Sequence, residues 1–470
     1  MIPRPAEVQL CGSGYLNPGK LVISNCPDPA LADLLERGWK RILSSSQVTT
    51  TLLSFHQMPR IAATHRDMHL ISIAEDGITL SAKSRHGFIY AIQSLLQILH
   101  EAAVNLQGLP LGQIVDHPAY EWRGLHLDES RHFFGIKTVK RYLRIMSVLK
   151  LNKFHWHLSD DQGWRIQSKL HPMLCEKGAY RREPDGSTYG GFYTQDEIRE
   201  IVAYASEHGI EVIPEIDLPG HTTAVLAAYP HLACFNGDFQ PRHDWGVFPD
   251  ILCAGNDELI GFLDSLLQEI AALFPSPYIH LGGDEAPKER WKACPKCQKR
   301  IQELQLRDEE ELQSWLFHRL AKSLQKMGKQ VIGWDEILDG QIDPSLIVMI
   351  WRGDGKDAAQ KCGDNHNPYI LCPNQICYFD WKEHAAGHGA HGISSLANVF
   401  SLNPKDYPYS ELCLGGQANL WTEHIHDQNE LEAMLLPRAF ALAERLWNPH
   451  TGYLDFVSRL ERLEGFFDTL

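Results

Sequence analysis

Eight short apolar runs, each ending in polar or aromatic residues, recur after residue 117 of this chain. They read "WRGLHLD", "FHWHLSD", "EVIPEID", "YIHLGGDE", "VIGWDE", "IVMIWRG", "YILCPN" and "GGQANLW". Most are separated by stretches whose apolar residues recur at helical spacing. Strands alternating with helices imply right-handed parallel crossovers, and eight such units close into a (β/α)8 barrel. Two crossovers are thin. Between Glu336 and Leu346 there is hardly room for a helix, and "DGKDAAQKCGDNHNP" allows only a short one. The expectation is an α/β protein built on a TIM barrel that is irregular around its fifth to seventh units.

The first 117 residues follow another pattern. "KLVIS", "DMHLISIA" and "GITLSAK" read as strands and "GFIYAIQSLLQILHEAA" as a helix, with "VDHPAY" as an exit linker. A small α+β domain over 1–117 and a barrel over 118–470 fit a chain of 470 residues. A net charge of −15 disfavours nucleic acid and anionic membrane as partners. No apolar run is long enough to insert into a bilayer. The opening "MIPRPAEVQLCGSGYLNPGK" lacks the basic and apolar regions of a secretory signal. Eleven scattered cysteines, an odd number, suit reduced thiols. A cytoplasmic location is therefore expected, a trimmed signal being the alternative. "CPKC", Cys294 to Cys297, has metal-ligand spacing, but with no second pair close by it reads as turn-forming thiols.

Polar residues gather toward the C-terminal ends of the runs, the ends that share the active face of a barrel. Carboxylates and tryptophans occur there together, as in sugar pockets, where rings stack on pyranose faces and carboxylates accept hydrogen bonds from the hydroxyls. In "HLGGDE", Asp284 adjoins Glu285, with Cα atoms about 3.8 Å apart. Ordinary glycosidases set two carboxyls about 5–5.5 Å or roughly 6.5–9.5 Å apart across the scissile bond. Neighbouring acids suit another division of labour. One protonates the leaving oxygen, while the other holds the N–H of a 2-acetamido group whose carbonyl oxygen attacks C1. A charged Asp284 is expected to raise the proton affinity of Glu285. His155 and His157 of "HWH" share one strand face, as metal ligands can, but no third ligand has matching spacing, and packing beneath the pocket is preferred. A retaining glycosidase with a carboxylate nucleophile and a sugar-binding protein without turnover stand as rival readings.

Through "WRGLHLDESRHF", "NKFHWHLSDDQGWR", "IPEIDLPGHT", "HLGGDE", "GWDEIL", "YFD" and "GGQANLWTE", essentially the whole chain resembles the β-N-acetylhexosaminidases of glycoside hydrolase family 20. That family is an exception to the two-carboxylate scheme. The resemblance implies an exo-acting, retaining enzyme that removes terminal β-linked GlcNAc, with GalNAc left open, and needs no cofactor or metal. It implies Glu285 as general acid/base, Asp284 as the acetamido-orienting carboxylate and Tyr378 as donor to the acetamido oxygen. Trp334, Trp351 and Trp421 would wall that pocket. Arg123, Asp160 and Glu423 would hold O3 and O4, Asp380 would reach O6, and Asp217 with His221 would form a supporting dyad. Phe379 stands where leucine is common in that family. Chitobiose, a glycan end or a glycolipid all fit as substrate, and the oligomeric state is not specified.

Overall fold

All eight expected barrel strands form and pair in sequence order. They are β1 (Trp122–Asp128), β2 (Lys153–His157), β3 (Glu211–Glu215), β4 (Tyr278–His280), β5 (Gln330–Trp334), β6 (Ile347–Ile350), β7 (Tyr369–Leu371) and β8 (Cys413–Ala418). Every neighbouring pair is parallel, and β8 closes on β1 through Gly416 opposite Arg123. The computed structural model that shows this describes residues 1–43, 49–58, 65–463 and 465–466.

Crossover helices start where the sequence supplies caps. Thr194 and Glu197 form a reciprocal capping box at Gln195–Glu207. Asp308 caps Glu309–Gln325, whose first turn carries three glutamates at its positive end. The barrel is irregular where expected. A 3-10 turn, Asp335–Asp339, joins β5 to β6, and a ten-residue helix, Lys356–Asn365, joins β6 to β7. The chain between β7 and β8 carries two short paired strands, Trp381–Lys382 and Ala390–Ile393, and a one-turn helix, Leu396–Phe400.

Ahead of the barrel, a mixed six-stranded sheet runs from Glu7 to Asp116 and carries the helices Pro29–Ile42 and Arg85–Val104. The second helix is buried around most of its circumference because it lies between the sheet and the barrel helix Ile136–Val148. Gln93 donates to Ser147 Oγ (3.1 Å), and Gln97 donates to Ile2 and Val148 carbonyls. Lys150 and Asp116 form a buried ion pair at 2.7 Å, and Trp447 donates to the same carboxylate. These contacts fix the small domain against the N-terminal end of the barrel, opposite the mouth.

Strand alternation sends every second side chain inward. His126 and Asp128 of β1, His155 and His157 of β2, Glu215 of β3, His280 of β4, Trp334 of β5 and Gln417 of β8 fill the upper barrel. Glu215 is their hub. Its carboxylate takes hydrogen bonds from His157 Nδ1 (2.6 Å) and Trp334 Nε1 (2.8 Å), with His155 Nε2 and His280 Nδ1 at 3.0 and 3.1 Å. His155 and His157 thus lie beneath the pocket, both within 3.0 Å of the Glu215 carboxylate.

Candidate active site

The site is built around the loop leaving β4. After His280 the chain must turn sharply past β3, and two glycines allow it. Gly282 (φ +67°) lies so close to Asp217 that a Cβ would fall 1.7 Å from Oδ1, and a Cβ on Gly283 (φ +100°) would strike the Phe317 ring. Asp284 and Glu285 follow with different surroundings. Asp284 is buried, its side chain 12% exposed, whereas that of Glu285 is 41% exposed. Glu285 (φ +43°) and His221 (φ +51°) both occupy the left-handed region. For non-glycine residues that costs on the order of 1–3 kcal/mol each, a strain typical of functional positions.

A chain of alternating charges runs from the barrel core to Glu285. His157 donates to Glu215 and, through Nε2, to Asp160 at 2.9 Å. Asp160 Oδ1 lies 3.2 Å from His221 Nδ1, which also meets Asp161 at 3.2 Å. His221 Nε2 then reaches Glu285 at 3.4 Å and Asp284 at 3.8 Å. Burial alone would push both imidazoles down. The charge of Glu215 raises His157 well above the usual range, and that of Asp160 does the same for His221. Both are therefore imidazolium ions near neutral pH.

These charges divide the two acids in the opposite sense to the sequence expectation. The hydrogen bond from His221 holds Glu285 below its ordinary range, against a smaller effect of burial. Burial raises Asp284 to about 6, opposed by His221 and reinforced by Glu215 and Glu285. Exposure and proximity to an imidazolium decide the matter, and adjacency of the acids is secondary. Burial and the nearby Asp284 push Asp217 well above the ordinary carboxylate range.

Aromatic rings wall the space beside Asp284. Tyr378 stacks on Trp351 at 5.9 Å and 15°, and Trp421 lies 6.3 Å from Tyr378 and 5.9 Å from Trp334. Trp351 donates to Glu336 (2.9 Å), a residue that sequence reasoning did not select. Trp334 is 1% exposed and forms the floor. Asp284 Oδ1 and Asp380 Oδ1 are buried acceptors without hydrogen-bond partners among the described residues. Glu423 stands 3.9 Å from Arg131.

Three sequence assignments are corrected. Arg123 is the second residue of β1, so it lies at the wrong end of the barrel. Its guanidinium donates to Lys150 O, Tyr120 O and Tyr90 Oη and stacks over Trp447 at 5.1 Å. The mouth arginine is Arg131, in the loop after β1. It reaches Asp160 at 2.9 Å and lies 5.0 Å over Trp421. Its signal was legible in "DESRHF", which follows the strand. Asp160 is not free for sugar hydroxyls, because Arg131, His157, His221 and the Asp161 amide (2.6 Å) enclose it. Finally, the dyad partner of His221 is Asp160 with Asp161, whereas Asp217 packs under Gly283, accepting its N–H at 3.4 Å.

The fold and site are those of an α/β barrel whose mouth carries two acids in contrasting environments, an aromatic box and a clamped arginine. The chain belongs to glycosyl hydrolase family 20. The model of that family's catalytic domain matches residues 120–450, and the model of its domain 2 matches residues 1–117. A beta-hexosaminidase of Porphyromonas gingivalis is 44% identical over 404 residues, 82% of this chain. One of Vibrio furnissii is 37% identical over 395 residues, 80% of this chain. The matches span 51% and 64% of those relatives, so the chain covers roughly half to under two thirds of their length. The crystal structure of the family 20 exo-β-N-acetylglucosaminidase of Vibrio harveyi with N-acetylglucosamine superposes with a TM-score of 0.86 at 28% identity. That alignment covers 100% of this chain and 77% of the other.

Proposed function

We propose that this chain is an exo-acting β-N-acetylhexosaminidase that releases terminal, non-reducing β-linked GlcNAc from oligosaccharides or glycoconjugates. The observation that carries the reading is the contrast between two adjacent acids, one buried beside an aromatic box and one exposed against an imidazolium. Such a pair does not straddle a glycosidic bond. It serves a substrate that brings its own nucleophile. The acetamido methyl sits among Trp351, Trp421 and Tyr378, above Trp334. The Tyr378 hydroxyl donates to the acetamido oxygen, and ionised Asp284 accepts the N–H. That oxygen attacks C1 as the C1–O bond to the leaving group breaks, and the leaving oxygen takes a proton from Glu285. The proton belongs to the His221–Glu285 pair, so Glu285 acts as an acid although the free protein holds it ionised. Water then opens the oxazolinium ion as Glu285 takes the proton back, which retains the anomeric configuration. Arg131 and Glu423 bind the ring hydroxyls in place of Arg123 and Asp160, and Asp380 meets O6.

A panel of 4-nitrophenyl N-acetyl-β-glucosaminide, N-acetyl-β-galactosaminide and β-glucoside tests this. Turnover of the acetamido substrates with negligible glucoside cleavage is the expected result. Equal turnover of the glucoside, which has no amide, would overturn it and favour a carboxylate nucleophile.

A further inference from the structure

The "CPKC" pair does not stand alone in space. The chain returns Cys234 and Cys253 to it, and all four sulfurs lie within 4.8 Å of one another. Cys234 follows the 3-10 turn Pro230–Leu232. Cys253 is held beside it, because its N–H donates to Leu232 O (2.9 Å) while Ala233 pairs with Leu252. Cys294 sits between the helices Glu289–Ala293 and Pro295–Leu304, and Cys297 lies in the first turn of the second. Cys253, Cys294 and Cys297 are fully buried, and Trp291 seals the side by donating to Leu252 O (2.9 Å). The backbones also approach closely, since a Cβ on Gly255 would fall 2.2 Å from Lys296.

We infer that these four cysteines form a tetrahedral, structural zinc site. The sulfur separations decide the chemistry. Cys234–Cys297, Cys253–Cys294 and Cys253–Cys297 measure 3.8, 3.7 and 3.6 Å. Disulfide sulfurs stand about 2.05 Å apart. Four sulfurs at about 2.3 Å from a central zinc lie about 3.8 Å from one another. One C-x2-C pair and two cysteines from another segment, with no position left for water, match the closed ligand set of structural zinc. Binding displaces the thiol protons, so the ion is held by thiolates.

The site ties the loop 233–253 to the helices that follow the catalytic acids. That loop reaches the active centre. Arg242 N–H donates to Asp161 O (2.9 Å), and Gln162 donates to Asp244 O (2.8 Å). Asp161 in turn holds His221. Zinc thus supports the wall behind the His221–Glu285 pair without touching substrate.

Metal analysis of the full chain purified without chelator, combined with zinc-edge X-ray absorption, tests the proposal. About one zinc per chain with sulfur-only scattering at about 2.3 Å is expected. Glu285→Gln keeps the zinc, and Cys253→Ser and Cys297→Ser lose it. Because those variants can fail to fold, mercurial titration of the wild-type chain provides a second readout. Zinc should be released to a chromogenic chelator in step with modification of four thiols, and the melting temperature should fall. Metal-free protein that takes up no added zinc would overturn the proposal. So would full zinc content in Cys253→Ser, or a disulfide within this set on non-reducing peptide mapping.

Discussion

The Asp284 carboxyl gives the reading its sharpest pH dependence. The acetamido N–H and the developing oxazolinium charge need Asp284 ionised. Its pKa of about 6 lies above the ordinary carboxylate value because of burial, with Glu215 and Glu285 adding to the rise and His221 opposing it. The sign follows directly. A raised carboxyl is charged above its pKa and takes up a proton as the pH falls through it. A group titrating at about 6 is about nine-tenths ionised at pH 7 and about one-tenth at pH 5, so kcat/KM should fall roughly tenfold between them. Neighbouring Asp217 and Glu285 make the measured value an apparent one for the cluster. The assay is kcat/KM for 4-nitrophenyl N-acetyl-β-glucosaminide from pH 4.5 to 8, with samples quenched in alkali. Asp284→Asn removes the charge while keeping the side chain's shape. It should lower kcat/KM by about 10²–10³-fold, the usual loss when one electrostatic stabiliser is deleted, and abolish the limb near 6. A flat wild-type profile, or an unchanged limb in Asp284→Asn, would refute the assignment.

Glu285→Gln should cut kcat by about 10²–10⁴-fold with little change in KM, as loss of a general acid does; single-turnover kinetics would separate this from slow product release. Arg131→Ala should raise KM and lower kcat/KM roughly 10–150-fold, the worth of one charged hydrogen bond. Arg123→Ala should leave KM unchanged and lower unfolding free energy by roughly 2–3 kcal/mol, because it strands the buried Lys150 carbonyl and Tyr90 hydroxyl. Urea denaturation beside steady-state kinetics distinguishes the two arginines. Glu215→Gln should destabilise the fold by about 3–5 kcal/mol, because it leaves the His157 imidazolium partly uncompensated, as a calorimetric melt would show.

The barrel was legible because its strands announce themselves twice. β2 and β3 alternate inward and outward residues under an apolar period, and β6 and β7 are continuous apolar runs buried on both faces. Even the thin fifth crossover could be read, since the short chain from Glu336 to Leu346 cannot hold a full helix and two turns, and it forms a 3-10 turn instead. The glycines of "HLGGDE" were equally informative: a run of small residues before two acids marks a close approach, and Asp217 fills that space. What sequence could not supply was contact across the barrel. Cys234 and Cys253 stand far from "CPKC" in the chain, so a local search for a second pair missed them.

Arg123 and Arg131 show how far strand polarity carries the assignment of a site. Both flank the same strand, and residue type alone does not separate them. Position does, because parallel strands place everything after their last residue on one face and everything at their first residue on the other. Arg123 opens β1 and Arg131 follows it, so only the latter can face a ligand bound at the mouth. Charge is harder to read, because it depends on partners from three strands at once. Asp284 and Glu285 are chain neighbours, yet burial dominates the proton affinity of the first and the hydrogen bond from His221, in the loop after β3, that of the second. An acid pair on a strand end therefore identifies a site, while the roles within that pair follow from which member is buried and which one meets the imidazolium.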